Sequence, residues 1–183
     1  MPGISLSNEH STLEEVEKYY NVSNSALYDF YSISSGGRED IPAVLFGLTK
    51  DEVEKERAES LLKLERMCSL ELLAVLEARI RIDYIHRVRK RLKDNLSRDF
   101  RRLHRIKEYR TSLVDELLNL RRKNTSGCEK EINELIRAID YRNWLAHGRY
   151  WTPKKAPHIA KYDYLSVKIL SIKVLSSLDL QGG

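Results

Sequence analysis

The chain has 183 residues and a formal net charge of +5, with 42% hydrophobic and 32% charged residues, enough for one domain with its own core and richer in charge than most, as long amphipathic helices require. Its two cysteines are too few for a disulfide framework or a cysteine-rich zinc site. No basic leader with an apolar run opens the sequence and no uncharged apolar run nears the ~20 residues that span a bilayer, so a reduced, cytoplasmic protein without membrane contact is expected.

Ser11-Thr12-Leu13-Glu14 has the form of a capping box and predicts a first helix to about Asn21. Residues 22–31 are ambiguous, with a short second helix as one reading. Ser34 to Gly37 reads as a loop, and Ile41 to Gly47 as a short helical turn with Pro42 near its start. Thr49-Lys50-Asp51-Glu52 is a second capping box, and neither Gly nor Pro occurs between it and Thr125, which favours helices over a many-turned β fold. Leu61, Leu64, Cys68, Leu72, Val75 and Ile82 recur at helical spacing and predict one helix to about Leu92, on the order of 60 Å long. That length exceeds a compact domain of this size, so a kink, a projecting end or a partner chain is expected.

Further helices are predicted over Arg98 to Tyr109, over Leu113 to Arg122 with Ser112 as cap, over Cys128 to His147 with Gly148 as stop, and over Ala160 to Leu178. No stretch alternates over strand length and no repeat of 20 to 50 residues is present. The expected fold is all-α: a single domain over 1–183, with an extension of short helices at 1–48 and an up-and-down bundle of long amphipathic helices at 49–180.

Charge is unevenly spread. From Arg79 to Arg110 there are 13 Lys or Arg against 4 Asp or Glu, a local +9, which leaves −4 for the rest of the chain. Two readings stand. A cationic stretch of this size suits a polyanion such as RNA or DNA. It also suits a solvated helix face with pairs such as Arg79/Asp83 and Asp83/Arg87 at i,i+4.

The sequence lacks a Gly-rich phosphate loop, a paired CxxC, an HExxH and a nucleophile elbow. The densest group of unusual residues is Arg142-Asn143-Trp144-Leu145-Ala146-His147-Gly148-Arg149-Tyr150-Trp151, which holds both tryptophans. Ile132, Leu135, Ile136 and Ile139 mark the apolar stripe before it. Carrying that stripe on in steps of four places Asn143 and His147 where apolar side chains are expected. Such groups must find partners or face a cleft. A His at a helix end also simply answers the last carbonyls and the dipole. Glu77, Arg79 and Asp83 interrupt the apolar lines of the long helix. They are either interhelical ion pairs or groups that orient Arg142 or His147.

Arg142, four intervening residues and His147, with Asn143 directly after the Arg, resemble the Rx4-6H motif of the HEPN superfamily. Leu73-Ala74-Val75-Leu76-Glu77-Ala78-Arg79-Ile80-Arg81-Ile82-Asp83-Tyr84 resembles the earlier acidic and Arg-bearing helix of some bacterial HEPN families. The likeness runs over residues 55 to 178. It implies a four- or five-helix bundle that forms a homodimer with motifs facing one another. It also implies a metal-independent endoribonuclease of a toxin–antitoxin, abortive-infection or other defence type, working with an antitoxin or another defence partner. The alternative is an inactive HEPN-like dimerisation or nucleic-acid-binding module. Some toxins of the superfamily carry a modifiable Tyr two residues after the His; here that position is Arg149 and Tyr150 follows, so that regulation is not carried over.

The expected chemistry needs no cofactor and no metal, because RNA brings its own nucleophile. His147 takes the proton from the ribose 2′-OH; imidazole titrates near pH 6.5 in general. Arg142 holds two oxygens of the phosphate as charge builds. Asn143 orients the phosphate or the imidazole, with Tyr150, Glu77, Arg79 and Asp83 in support. Arg149, Trp151, Lys154 and Lys155 are the expected RNA contacts, through stacking and backbone charge. On a continuous helix, however, five positions set Arg142 and His147 about 140° apart and ~7.5 Å along the axis, an argument for two copies around one cleft.

Overall fold

The computed structural model describes residues 9–32, 42–150, 152 and 157–182. Among these there is no strand, and six α-helices appear in chain order: α1 (Leu13–Ser32), α2 (Lys50–Arg89), α3 (Asn95–Lys107), α4 (Asn119–Asn124), α5 (Glu129–Ala146) and α6 (Tyr164–Ser177). The all-α expectation holds for every described residue.

Local signals set most boundaries. Thr49 caps α2 as a capping box, its hydroxyl accepting from the Glu52 N–H and its own N–H donating to the Glu52 carboxylate at 2.8 Å. Asp94 caps α3 by accepting from the Ser97 N–H at 2.9 Å. At α1 the box is one residue later than the sequence suggested: Thr12 N–H donates to Glu15 at 2.8 Å, and Thr12 Oγ1 accepts from the Glu15 N–H. Residues 22–31 are not a separate helix. They continue α1, because Leu27 and Tyr31 find apolar partners on the far side of the weak formers Asn21, Ser23, Asn24 and Ser25. Packing has outweighed propensity there. Ser112 caps a π-helical stretch, Leu113–Leu118, which runs into α4. The predicted final helix is broken: a 3-10 segment, Pro157–Lys161, precedes α6, and Asp163 caps α6 by accepting from the Ser166 N–H at 2.8 Å. Asp at a cap competes with helix continuation, and here it wins.

α1 runs antiparallel to α2, as the Ser11–Glu71 and Tyr31–Ser60 hydrogen bonds show. α6 lies parallel to α2, with Tyr164 stacked on Tyr20 at one end and Asp179 reaching Arg87 at the other. α5 runs back against both. α2 is one helix of 40 residues. Among the described residues it has no fully buried position between Val53 and Leu64, and its first turns meet α1 and a small cluster with Tyr31 and Leu45. The N-terminal part therefore projects from the main core, which begins at Leu64 and includes Leu72, Leu73, Leu76 and Ile80. No helix among the described residues is long and apolar enough to cross a membrane.

Candidate active site

Arg142 stands on the flank of α5 that faces α2, and its guanidinium meets Glu77 at 3.1 Å. Glu77 also accepts from Arg81 Nε at 2.8 Å, so one carboxylate holds two cations. Arg142 further donates to Asn143 Oδ1 at 3.2 Å. Glu77 is only one-fifth exposed, which strengthens these contacts relative to a surface pair. Glu77, Arg142 and Asn143 thus gather in one cluster, and Arg81, which the sequence did not single out, joins them. Arg81 lies one turn after Glu77, so the i,i+4 pattern was the available signal.

His147 ends α5. Its N–H closes the last turn on Asn143, and the Gly148 and Arg149 N–H groups return to the Leu145 and Trp144 carbonyls at 3.2 and 3.1 Å. This double return closes a Schellman motif, which needs a left-handed residue after the cap. Gly148 supplies it at φ +76. The extrapolated apolar stripe does not survive to this point: after Ile139 the buried positions are Tyr141 and Leu145, so Asn143 is half-buried and His147 is exposed. The rotation follows Tyr141, whose ring stacks on Tyr162 and whose phenol burial pushes above its ordinary pKa. The imidazole of His147 has no side-chain partner among the described residues and is open to a ligand.

Beside the α5 terminus lies a groove of about 580 Å³, walled by Leu62, Lys63, Arg66, Met67 and Leu70 of α2 and by Leu145 and Arg149. Arg66 sits 6.0 Å over the ring of Trp144, a cation–π distance. Glu56 and Glu59 line the outer end of the groove. Neither Arg66 nor Lys63 carries a sequence signal, since only the crossing of α2 and α5 brings them to Arg149. Tyr150 is 84% exposed. Trp151, Lys154 and Lys155 lie outside the described residues.

Asp83 belongs elsewhere. It is fully buried and accepts from Arg87 Nε at 2.7 Å, from Arg121 and from the Gln181 N–H at 2.7 Å. Arg87 also reaches Asp94 and Asp179. This network ties α2, α4 and the C-terminal segment together and makes no contact with Arg142. The i,i+4 pair Asp83/Arg87 is present and Arg79/Asp83 is not; Arg79 is half-buried, with no hydrogen bond or ion pair among the described residues. Cys68 and Cys128 are buried thiols, and burial pushes Cys68 up to about 11, which keeps it protonated and inert. No group of three His, Cys, Asp or Glu gathers as a metal site among the described residues.

No protein-family model, curated protein or solved structure matches the chain.

Proposed function

We propose that the chain is a HEPN-type, metal-independent endoribonuclease that acts as a homodimer. The observation that carries this reading is the division of labour at the end of α5. Arg142 is aimed by Glu77 and Asn143, while His147, five residues on, stands exposed at the helix end, two residues before Arg149, which shares a groove with Lys63 and Arg66. His147 draws the proton from a ribose 2′-OH, and that oxygen attacks the adjacent phosphorus. Arg142 holds the phosphorane oxygens, and the P–O5′ bond breaks to leave a 2′,3′-cyclic phosphate and a 5′-OH that takes up a proton. An Arg aimed in advance loses little side-chain freedom when the phosphate arrives.

One copy does not bring the two groups together. α5 stays helical through Ala146, so the ~140° between positions 142 and 147 persists. A two-fold pair sets the Arg142 of each chain against the His147 of the other. Leu165, Ile169 and Ile172 form an exposed apolar stripe along α6, surface of the kind that such pairing covers.

The test is an incubation of mixed RNA in EDTA with wild type and His147→Ala, with the new ends mapped. Wild type yields cyclic phosphate ends and the variant yields none, while both elute as dimers. Cleavage that disappears in EDTA and returns with magnesium defeats the mechanism. The second reading, an inactive dimerisation or RNA-binding module, is favoured by one observation: Glu77 and Asn143 already occupy Arg142 within a single chain. Equal lack of cleavage by wild type and His147→Ala, with RNA still bound, selects that reading, and equal cleavage by both removes His147 from the mechanism.

A further inference from the structure

We propose that the exposed face of α3 is a track for the phosphate backbone of a base-paired RNA stem and leads that stem to Arg142. The proposal deepens the nuclease reading and rests on it for the destination of the RNA, though not for the binding itself.

α3 buries Leu96, Ser97 and Phe100. Its opposite face carries Arg98, Arg102 and Arg105, all exposed. The spacing of four and then three positions sets them on one side of the helix over about 10 Å. Arg110, also exposed, follows three residues after the helix end. A basic helix that merely meets solvent compensates itself with carboxylates one turn away. Here most of that supply is spent; the exception is Glu108 at the helix end, exposed and in no ion pair among the described residues. Asp99 pairs with Arg102 at 3.0 Å. Asp94, one turn before Arg98, is committed to Ser97 and Arg87. Among the described residues the side chains of Arg98, Arg105 and Arg110 make no hydrogen bond or ion pair. Three of the row are therefore cations without an internal counter-charge, and all four are Arg, whose planar fork matches phosphate.

The row leads somewhere. α3 returns antiparallel along α2: Arg87 meets Ser97, Tyr84 donates to the Glu108 carbonyl at 2.6 Å, and Arg81 donates to the Thr111 carbonyl at 3.2 Å. Arg81 is the same residue that shares Glu77 with Arg142. The exit of α3 is thus two side chains from the arginine of the candidate site. A phosphate backbone lying on Arg98, Arg102 and Arg105 runs toward the end of α3 that Arg81 and Glu77 tie to Arg142.

The ligand class follows from what the face lacks. Proteins that hold single strands interleave aromatic platforms with charge. On α3 the large exposed apolar residue is Ile106, and the nearby Tyr109 ring is packed against His104 at 4.9 Å. A face of arginines without stacking rings reads phosphates alone, which is how a base-paired RNA stem is held. The exposed ring of Tyr150, three residues after His147 in the chain, is a surface on which an unpaired nucleotide beyond the stem can stack.

The experiment compares wild type, His147→Ala, the triple variant Arg98→Gln/Arg102→Gln/Arg105→Gln and its charge-keeping counterpart with Lys at the same positions. Binding of a fluorescent RNA hairpin is followed by anisotropy over a range of salt, beside a single strand of equal length and vesicles of anionic lipid. Circular dichroism melts check folding. The expected result is hairpin binding by wild type and His147→Ala, and a log–log salt slope smaller by about 3 in the Gln variant, roughly 1 for each phosphate no longer neutralised. The Lys variant recovers most of the binding. In wild type the hairpin binds more tightly than the single strand. That pattern supports the track even if no variant cleaves RNA, in which case the nuclease reading fails by itself. Equal hairpin affinity and slope in wild type and a folded Gln variant overturn the track, whatever the cleavage assay gives. Equal binding of single strand and hairpin overturns it too, as does arginine-dependent binding confined to the vesicles.

Discussion

Asp83→Asn isolates the buried ion network from the candidate site. The substitution keeps the shape of the side chain and removes its charge. Asp83 is 0% exposed, and its two cationic partners, Arg87 and Arg121, are 4% and 1% exposed. Removing one member of a buried pair costs about 3–5 kcal/mol, because the surviving charge is stranded. The survivors are not stranded equally. Arg87 keeps Asp94 at 3.3 Å and Asp179 at 3.2 Å. Among the described residues Arg121 keeps no other ion pair and its Nε is already unpartnered, and burial pushes its pKa below the usual range. One stranded guanidinium in place of two sets the expectation at the lower end, about 3 kcal/mol. For a domain of this length that is a fall in melting temperature of roughly 10 °C. The reverse change, Arg121→Met, should cost less, because Asp83 retains Arg87 and the Gln181 N–H, both at 2.7 Å. Urea unfolding of both variants measures the two losses, and the m value checks that the transition has not changed character. A loss below about 1 kcal/mol for Asp83→Asn, or a greater loss for Arg121→Met, would refute the reasoning from this desolvated network.

Two further outcomes are expected. Glu77→Gln frees Arg142 and Arg81 from their shared carboxylate, so cleavage should slow by about tenfold to a hundredfold through lost aim, with little change in RNA affinity; single-turnover kinetics beside a binding assay check it, and an unaltered rate constant removes Glu77 from the site. Acid should loosen the fold, because several carboxyls lie below their ordinary pKa: Asp163 through hydrogen bonds from Ser166, Glu116 through Lys107, and Asp94 through Ser97 and Arg87 against an opposing burial effect. A lowered folded pKa adds stability that is complete above the unfolded values, about 4, and is lost as pH falls through the folded ones. The urea midpoint should therefore drop between about pH 5 and pH 3, and a constant midpoint over that window contradicts the assigned bonds.

Much of the molecule was legible in the residues alone, because short-range physics decides it. The absence of Gly and Pro from 50 to 124 and the apolar spacing from Leu61 to Ile82 announce a long helix. Thr49, Ser112 and Gly148 mark helix ends through hydrogen bonds and a left-handed turn that need only near neighbours. The grouping of Arg142, Asn143 and His147 at the end of one helix was legible for the same reason. Crossing helices decided the rest. Which of Glu77 and Asp83 meets Arg142 depends on the side of α2 that α5 covers. Whether His147 faces core or solvent depends on a helix rotation set by the Tyr141 and Tyr162 rings. The arrival of Arg66 beside Trp144, and of the α3 exit beside Arg81, depends on how α5 and α3 lie against α2. Caps and turns are satisfied within a few residues, so sequence determines them; ion pairs and grooves join residues tens of positions apart, and only the packed bundle brings those together.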